Sequence, residues 1–420
     1  MASTGAIEAH YDAFPYPETR CVVAAGPPSH VAGTLSFLLR RRPHEWISTQ
    51  STIWIAGCGT TQASQWALTF PEADILATDV SARTIEIASS LAREVGATNV
   101  RFERRDLRTP WDRKFDLVLS TGVVHHLEDP AAGLRSLRAA LSPSGAAFVM
   151  VYSRVHRAPL DPLRRAIARL PPEGDAYEHA CQLLAAAISP RCRPEHRDVL
   201  EALHAMRQDQ RSFLADLLVN PREQSYDLAG LHTLLADGGL RFVEWRHPGA
   251  WRLRNYVDDE ALVARARALG DRAESELVYD LAGLASPMLD VLVERDDAPQ
   301  RPPYSEDELG AMRMLVSAGE RQLDIDRGRL TGERHVPACD RSLAGVTGLV
   351  TGPASGGHGS TRRWAVTADT LPLIDMCDGT RTVAELCEAF TPRVPRQQIL
   401  SLIEELSPRD VGLLAPVSAP

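Results

Sequence analysis

No run of eighteen apolar residues occurs anywhere in the 420-residue chain, and Met1-Ala2-Ser3-Thr4-Gly5 carries no basic patch leading into an apolar segment. Neither a bilayer-spanning helix nor a secretory signal is expected, so we expect no membrane partner and a cytoplasmic location. Cysteine is sparse and scattered: the seven, at positions 21, 58, 181, 192, 339, 377 and 387, are odd in number and form no C-x-x-C pair. That argues against a disulfide framework and against a structural zinc site, and no metal is expected. Lys114 is the sole lysine, which leaves little room for Schiff-base chemistry. Net positive charge is lacking too, at −9 with a pI near 5.8. Without a summed positive field to draw in a phosphate backbone, nucleic acid is not an expected partner. What is present is 44% hydrophobic residues over a length suited to two or three domains.

Short β-rich apolar runs alternate with amphipathic stretches over residues 52–152, the pattern of a parallel sheet covered by helices. Strands are expected at Thr52–Ala56, Ile75–Asp79, Val100–Arg105, Phe115–Ser120 and Ala146–Tyr152. Helices fit between them at Gln62–Thr69, Ala82–Glu94 and Ala131–Leu141, the last stopped by Ser142-Pro143-Ser144-Gly145. This is half of a doubly wound fold, in which a ligand sits at the C-terminal ends of the strands. From about 156 to 225 the chain turns Arg/Leu/Ala-rich, as expected of an inserted helical cap. Asp227–Asp237, Gly238-Gly239 and Leu240–Trp245 then read as a helix, its cap and a returning strand. Residues 256–340 read as helical with no assignable chemistry. Six glycines lie between 345 and 360, the signature of a flexible linker. Beyond it, 361–420 reads as a separate module: a helix around Leu371–Met376, an Asp378-Gly379 turn, a second helix capped by Thr382 with Glu385, and a third at Gln397–Leu406.

The strand Ile53-Trp54-Ile55-Ala56 runs into Gly57-Cys58-Gly59-Thr60-Thr61 at the start of a helix. Glycines there let backbone approach a ligand, and the helix N-terminus offers free N–H groups. A tight turn that binds nothing would carry the same two glycines. Asp79, twenty residues after Gly59 at the tip of the next strand, is placed to accept both hydroxyls of a ribose, which suits any nucleoside cofactor, nicotinamide dinucleotides included. Asp106 closes the third strand, within reach of an adenine amine; it could equally hold a surface arginine.

Ala56-Gly57-Cys58-Gly59-Thr60, Thr78-Asp79-Val80-Ser81, Arg105-Asp106-Leu107 and the run from Phe115 to Leu127, in this order, resemble the successive motifs of class I S-adenosylmethionine-dependent methyltransferases. The resemblance implies an α/β, Rossmann-like doubly wound fold with a seven-stranded sheet, made of 1–155 and 226–250. It also implies S-adenosyl-L-methionine as cofactor: Gly57 and Gly59 under its methionine part, Asp79 on its ribose, Val80 against adenine and Asp106 on the adenine amine, with Cys58 also in the cofactor-binding set. Leu107 and Thr121 join that set. Thr61 departs from the small residue commoner at its position, which bears on fine geometry only. His10-Tyr11-Asp12-Ala13-Phe14-Pro15-Tyr16-Pro17 and Asn220–Tyr226 resemble a bacterial subgroup of these enzymes, in which Tyr11 would fold over the cofactor as a lid. Tyr11 and Tyr16 could instead be packing aromatics beside prolines.

Methyl transfer is an in-line displacement that expels a neutral thioether, so the protein mainly aligns the reacting atoms. A base is needed when the acceptor arrives protonated, and His125 and His126 follow the fourth strand, with His125 the first choice. The pair could also serve packing and helix capping alone. Tyr152, Tyr226, Trp245 and His247 are further pocket candidates with packing as the alternative. The C-terminal segment Asp378–Leu386 resembles small winged-helix domains that bind leader peptides, and C-terminal modules of some protein methyltransferases. Its six Arg against eight Asp or Glu argue against DNA and leave peptide binding, dimerisation or structural support. The expected acceptor is a peptide, a protein or a biosynthetic small molecule, methylated on oxygen or nitrogen. A non-catalytic protein that binds S-adenosylmethionine in a regulatory role is the alternative.

Overall fold

The computed structural model describes residues 4–336 except 19–20, 25–27, 171, 173, 190–193, 208, 258, 282–287 and 317–319, and beyond them 348–352, 362–366, 376–390 and 411–414. The chain opens with helix α1 (Thr4–Ala13), strand β1 (Cys21–Ala24) and helix α2 (Pro28–Leu38). Strands and helices then alternate: β2 (Thr52–Ala56), α3 (Gln62–Thr69), β3 (Asp74–Asp79), α4 (Ala82–Glu94), β4 (Val100–Arg104), β5 (Phe115–Thr121), α5 (Pro130–Ala140) and β6 (Leu141–Ser153). A helical stretch follows, comprising α6 (Arg154–Arg157), α7 (Asp161–Arg169), α8 (Ala176–Ala187), α9 (Pro194–Ala205) and α10 (Arg211–Val219). The return runs through β7 (Ser225–Tyr226), α11 (Leu228–Asp237) and β8 (Leu240–Trp245), then α12 (Glu260–Ala268), α13 (Asp271–Asp280) and β9 (Met288–Arg295). The remaining described elements are α14 (Glu306–Gly310), β10 (Arg313–Val316), β11 (Glu320–Asp326), β12 (Arg329–Val336), β13 (Gly348–Gly352), β14 (Arg362–Val366), β15 (Asp378–Thr382), α15 (Val383–Phe390) and β16 (Val411–Leu414).

The central sheet has the order β4-β3-β2-β5-β6-β9-β8, with the short β7 beside the end of β6. The first five strands are parallel, whereas β9 is antiparallel to both β6 and β8. Alternation along β2 divides its side chains: Ile53 and Ile55 join the core on one face, Trp54 and Ala56 the core on the other. This is the expected Rossmann-like α/β sheet. Local capping explains why its helices start where they do. The Ser81 hydroxyl accepts the Thr84 N–H at 3.0 Å to begin α4, Asp129 accepts Ala132 N–H at 3.0 Å before Pro130 of α5, and Asp227 accepts Gly230 N–H at 2.7 Å to begin α11. α7 to α10 and the turn before them bury Leu160, Tyr177, Leu184, Leu214 and Leu218 in a core of their own. Among the described residues no helix is long and apolar enough to cross a membrane.

Three expectations need correction. Residues 256–340 are not helical throughout: β9 lies inside the central sheet, and β11 and β12 form a second sheet with β1. The run Met288–Arg295 reads as amphipathic because Asp290 and Glu294 interrupt it, yet both acids are held by arginines, Asp290 by Arg246 at 3.1 Å and Glu294 by Arg301 at 3.0 Å. Pairing removes the cost that would otherwise keep these acids out of a central strand. The expected linker at 345–360 contains a strand, β13, in a hairpin with β14, because its glycines are interrupted by the β-forming run Leu349-Val350-Thr351. The C-terminal module is not separate either. β15 and β16 flank β10 on both sides, so Asp378-Gly379 lies in a paired strand and not in a turn. The Thr382–Glu385 capping box is present at the start of α15, with Thr382 N–H donating to Glu385 at 2.7 Å. Most of the helix expected around Leu371–Met376 and all of that at Gln397–Leu406 lie outside the described residues.

Candidate active site

The C-terminal ends of the parallel strands define a crevice, and the loop after β2 forms its floor. Gly57 and Gly59 take φ of +79° and +54°, left-handed values that favour glycine. The N–H groups of Gly57 and Cys58 bond the Thr78 carbonyl at 2.8 and 2.9 Å, tying this loop to the end of β3. There the Asp79 carboxylate accepts the Gly59 N–H at 3.2 Å and the Ser81 N–H at 3.0 Å. Burial still pushes its pKa up from 3.8 to about 6, against the lowering effect of those backbone donors. Asp79 is only part-buried by its neighbours, so its carboxylate, which accepts backbone N–H groups, can accept further donors beside the glycine cradle. A ribose with two adjacent hydroxyls supplies such donors. The residues present therefore fit a nucleoside cofactor.

The other expected cofactor residues are distributed around that point. Val80 is half-buried, with its carbonyl accepting the Arg104 Nε–H at 3.1 Å. The Leu107 side chain is buried in the core with Trp54 and Val124. The Thr121 hydroxyl accepts the Gln62 amide. Asp106 is engaged by Arg108 through a side-chain bond at 2.7 Å and a backbone N–H at 2.9 Å, and those donors hold its pKa below the ordinary range. An adenine amine would share this carboxylate with Arg108.

Where β5 and β6 end, a polar cluster stands beside the cradle. Asp216, 2% exposed on the cap helix α10, accepts the hydroxyls of Tyr11 at 2.9 Å and Tyr152 at 3.1 Å and the Asn220 amide at 2.9 Å. His126 Nε2 lies 3.9 Å from it, and His126 Nδ1 is 2.7 Å from the Arg222 carbonyl, which makes Nδ1 the donor. Burial pushes the Asp216 pKa up, but His126, Asn220, Tyr11 and Arg157 outweigh it, and the net shift is downward. His125 packs against His126 and against Tyr152, with ring centroids 4.2 Å apart in each case. Complete burial, then the neighbouring His126 and Arg157, lower its pKa well below 6.5. The Arg157 guanidinium stacks 3.6 Å over the Tyr152 ring and pairs with Glu223 at 3.4 Å.

Of the expected site residues, the structure thus brings together Tyr11, His125, His126 and Tyr152, and separately Gly57, Cys58, Gly59 and Asp79. Trp245 is stacked on Trp251 at 3.8 Å with its indole N–H on Ser275, a packing role on β8. The Tyr226 hydroxyl donates to Gln224 at 3.2 Å, and His247 precedes a 3-10 turn at Pro248–Trp251. Sequence reasoning missed Asp216 and Asn220. The available signal was a lone acid inside the apolar run Phe213-Leu214-Ala215-Asp216-Leu217-Leu218-Val219, with Asn220 one helical turn later.

Residues 54–147, which contain the cradle, Asp79, Asp106 and both histidines, match the family model described as a methyltransferase domain. The chain carries a class I S-adenosylmethionine-dependent methyltransferase domain. S-adenosylmethionine is the cofactor of that methyltransferase domain, and Asp79 beside the glycine loop fits a nucleoside cofactor. Among curated proteins, an uncharacterized protein of Synechococcus sp. is 30% identical over 290 residues, a match spanning 65% of this chain and 66% of the relative. Among solved structures, PKMT2 from Rickettsia typhi is similar over 92% of this chain and 76% of its own, with a TM-score of 0.59 and 12% identity. The same protein in complex with AdoHcy gives a TM-score of 0.58. At that identity the likeness is one of fold, and it extends past the methyltransferase domain into the C-terminal third.

Proposed function

We propose that the whole chain is a methyltransferase that carries the methyl group of S-adenosylmethionine to an amine nitrogen, on a peptide, a protein or a small biosynthetic molecule. The observation that carries the choice of nitrogen is Asp216: a buried carboxylate held in its charged form between two tyrosine hydroxyls, at the strand ends where an acceptor must meet the methyl group. A buried anion needs a cationic partner, and a protonated amine is one. The tyrosine rings around it add a favourable face for such a cation.

Bound S-adenosylmethionine supplies an electrophilic methyl on a sulfonium. The glycine loop and Asp79 hold the cofactor, and Asp216 with Tyr11 and Tyr152 holds the acceptor in line with the carbon–sulfur bond. The incoming ammonium must lose a proton before its lone pair is free. His126 is the better-placed base, because its Nδ1 proton is committed to the Arg222 carbonyl and its Nε2 faces Asp216. His125, whose proton affinity burial depresses, is better suited to hold Tyr152 and His126 in place. With the amine deprotonated, His126 would keep that proton while Asp216, Tyr11 and Tyr152 hold the nitrogen toward the methyl group.

The test is transfer of labelled methyl from S-adenosylmethionine to a panel of free amines and lysine-containing or free-N-terminus peptides, alongside hydroxyl and carboxyl acceptors. Label on amines that is lost when those amines are acetylated supports the reading. Label released by mild base, as from a methyl ester, would contradict it. Binding of the cofactor with no turnover on any acceptor would support a regulatory binding protein instead.

A further inference from the structure

The N-terminal segment 4–18 is strapped across the crevice by contacts of unequal strength. Glu8 pairs with Arg104 at the sheet edge, with side chains 28% and 55% exposed, and a pair so open to water contributes little. Asp12 accepts the Ser81 hydroxyl at 2.6 Å and the Arg83 N–H at 3.3 Å at the start of α4. The Tyr16 and Pro17 carbonyls accept the backbone N–H and the hydroxyl of Thr60 on the glycine loop. Glu18 takes the Ser212 and Phe213 N–H groups at the start of α10. Tyr11 reaches inward to Asp216 and receives the Asn220 amide at 3.2 Å. This last contact is made to a charged acceptor out of water, where a hydrogen bond is strongest and its loss costliest.

Asp216 thereby joins three parts of the molecule through one carboxylate: the strap by Tyr11, the sheet by Tyr152 and the cap by Asn220 on its own helix. We propose that Asp216, besides holding the acceptor, latches the strap over the bound cofactor, so that closure of the strap and placement of the Tyr152 hydroxyl at the acceptor position depend on each other. Cofactor release then requires the Tyr11–Asp216 bond to break, and the latch sets its rate. This rests on the reading that the crevice holds S-adenosylmethionine or its demethylated product, and it adds a role for residues outside the matched domain, which ends at 147.

The experiment follows dissociation of S-adenosylhomocysteine from the full-length protein by stopped-flow fluorescence, with hydrogen exchange of the strap amides measured in parallel. Tyr11→Phe and Asp216→Asn should each speed release roughly tenfold or more, and the double variant should be no faster than the faster single one, because both remove the same bond. The strap amides should lose protection in both variants, while Glu8→Gln stays within about twofold of the wild type. Release within about twofold of the wild type in both single variants would overturn the proposal, as would effects that multiply in the double variant. If Asp216→Asn does not fold, Tyr11→Phe alone still decides, since it removes one hydroxyl from a half-buried ring. If the wild type binds no S-adenosylhomocysteine, both the functional reading and this proposal fall; if it binds and the variants release normally, only this proposal does.

Discussion

Gly59 donates its backbone N–H to Asp79 at 3.2 Å, so the glycine cradle and the Asp79 carboxylate are one hydrogen-bonded unit. Because burial holds the Asp79 pKa at about 6, well above 3.8, its charge is within reach of mild acid. Ribose hydroxyls bound there would donate to the ionised form, so protons would compete with the cofactor. Affinity for S-adenosylhomocysteine should be full above about pH 7 and fall below pH 6, approaching tenfold per pH unit. For the protein without cofactor the sign is reversed: a raised carboxyl pKa contributes stability that is present below 3.8 and lost as pH rises through about 6. Calorimetric titrations from pH 5 to 8 check this, and Asp79→Asn should flatten the profile. An affinity unchanged between pH 5 and 7 would count against Asp79.

The two faces of a left-handed glycine can be separated by comparing Gly57 with Gly96. A Cβ on Gly57 would lie 2.3 Å from Val123, and its φ is +79°; at Gly96 the φ is +73° but nothing lies within 4 Å. Gly96→Ala should therefore cost about 1 kcal/mol from backbone strain alone, with cofactor binding intact. Gly57→Ala should cost about 3 kcal/mol or more and abolish binding, since the loop must move to clear Val123. Thermal unfolding and cofactor titration of both variants distinguish steric from conformational cost. Equal losses at the two sites would contradict the distinction.

At the opposite end of the sheet, Glu294 on β9 is 2% exposed and receives Arg41 and Arg241 at 3.3 Å and Arg301 at 3.0 Å. Glu294→Gln leaves these guanidinium groups without their buried anion. Urea unfolding should show a loss of about 3–5 kcal/mol, with cofactor affinity unchanged in the variant that remains folded. A loss under about 1 kcal/mol would mean that water or Glu45, which also pairs with Arg301 at 3.0 Å, substitutes for it.

The strands β2 to β6 and the glycine loop were legible because their chemistry is local. Alternation along Thr52–Ala56, the Ser81 and Asp129 caps and the spacing from Gly59 to Asp79 each act within one or two elements. β9 was not legible, because Asp290 and Glu294 give it the look of a half-exposed segment; the arginines that neutralise Glu294 come from residues 41, 241 and 301. Asp216 escaped for the same reason. Its partners Tyr11 and Tyr152 lie 205 and 64 residues away, and a lone acid in an apolar helix does not announce which hydroxyls will reach it. Thr382 and Glu385 show the converse case, a capping box four residues long that holds even where the module around it pairs differently than expected.

The most direct test of the central claim is calorimetric titration of the full-length protein with S-adenosylmethionine, S-adenosylhomocysteine and NAD, repeated on Asp79→Ala. Micromolar binding of both sulfur compounds, none of NAD, and loss of both in the variant are expected. Failure of the wild type to bind either sulfur compound, or unchanged binding by Asp79→Ala, would contradict it.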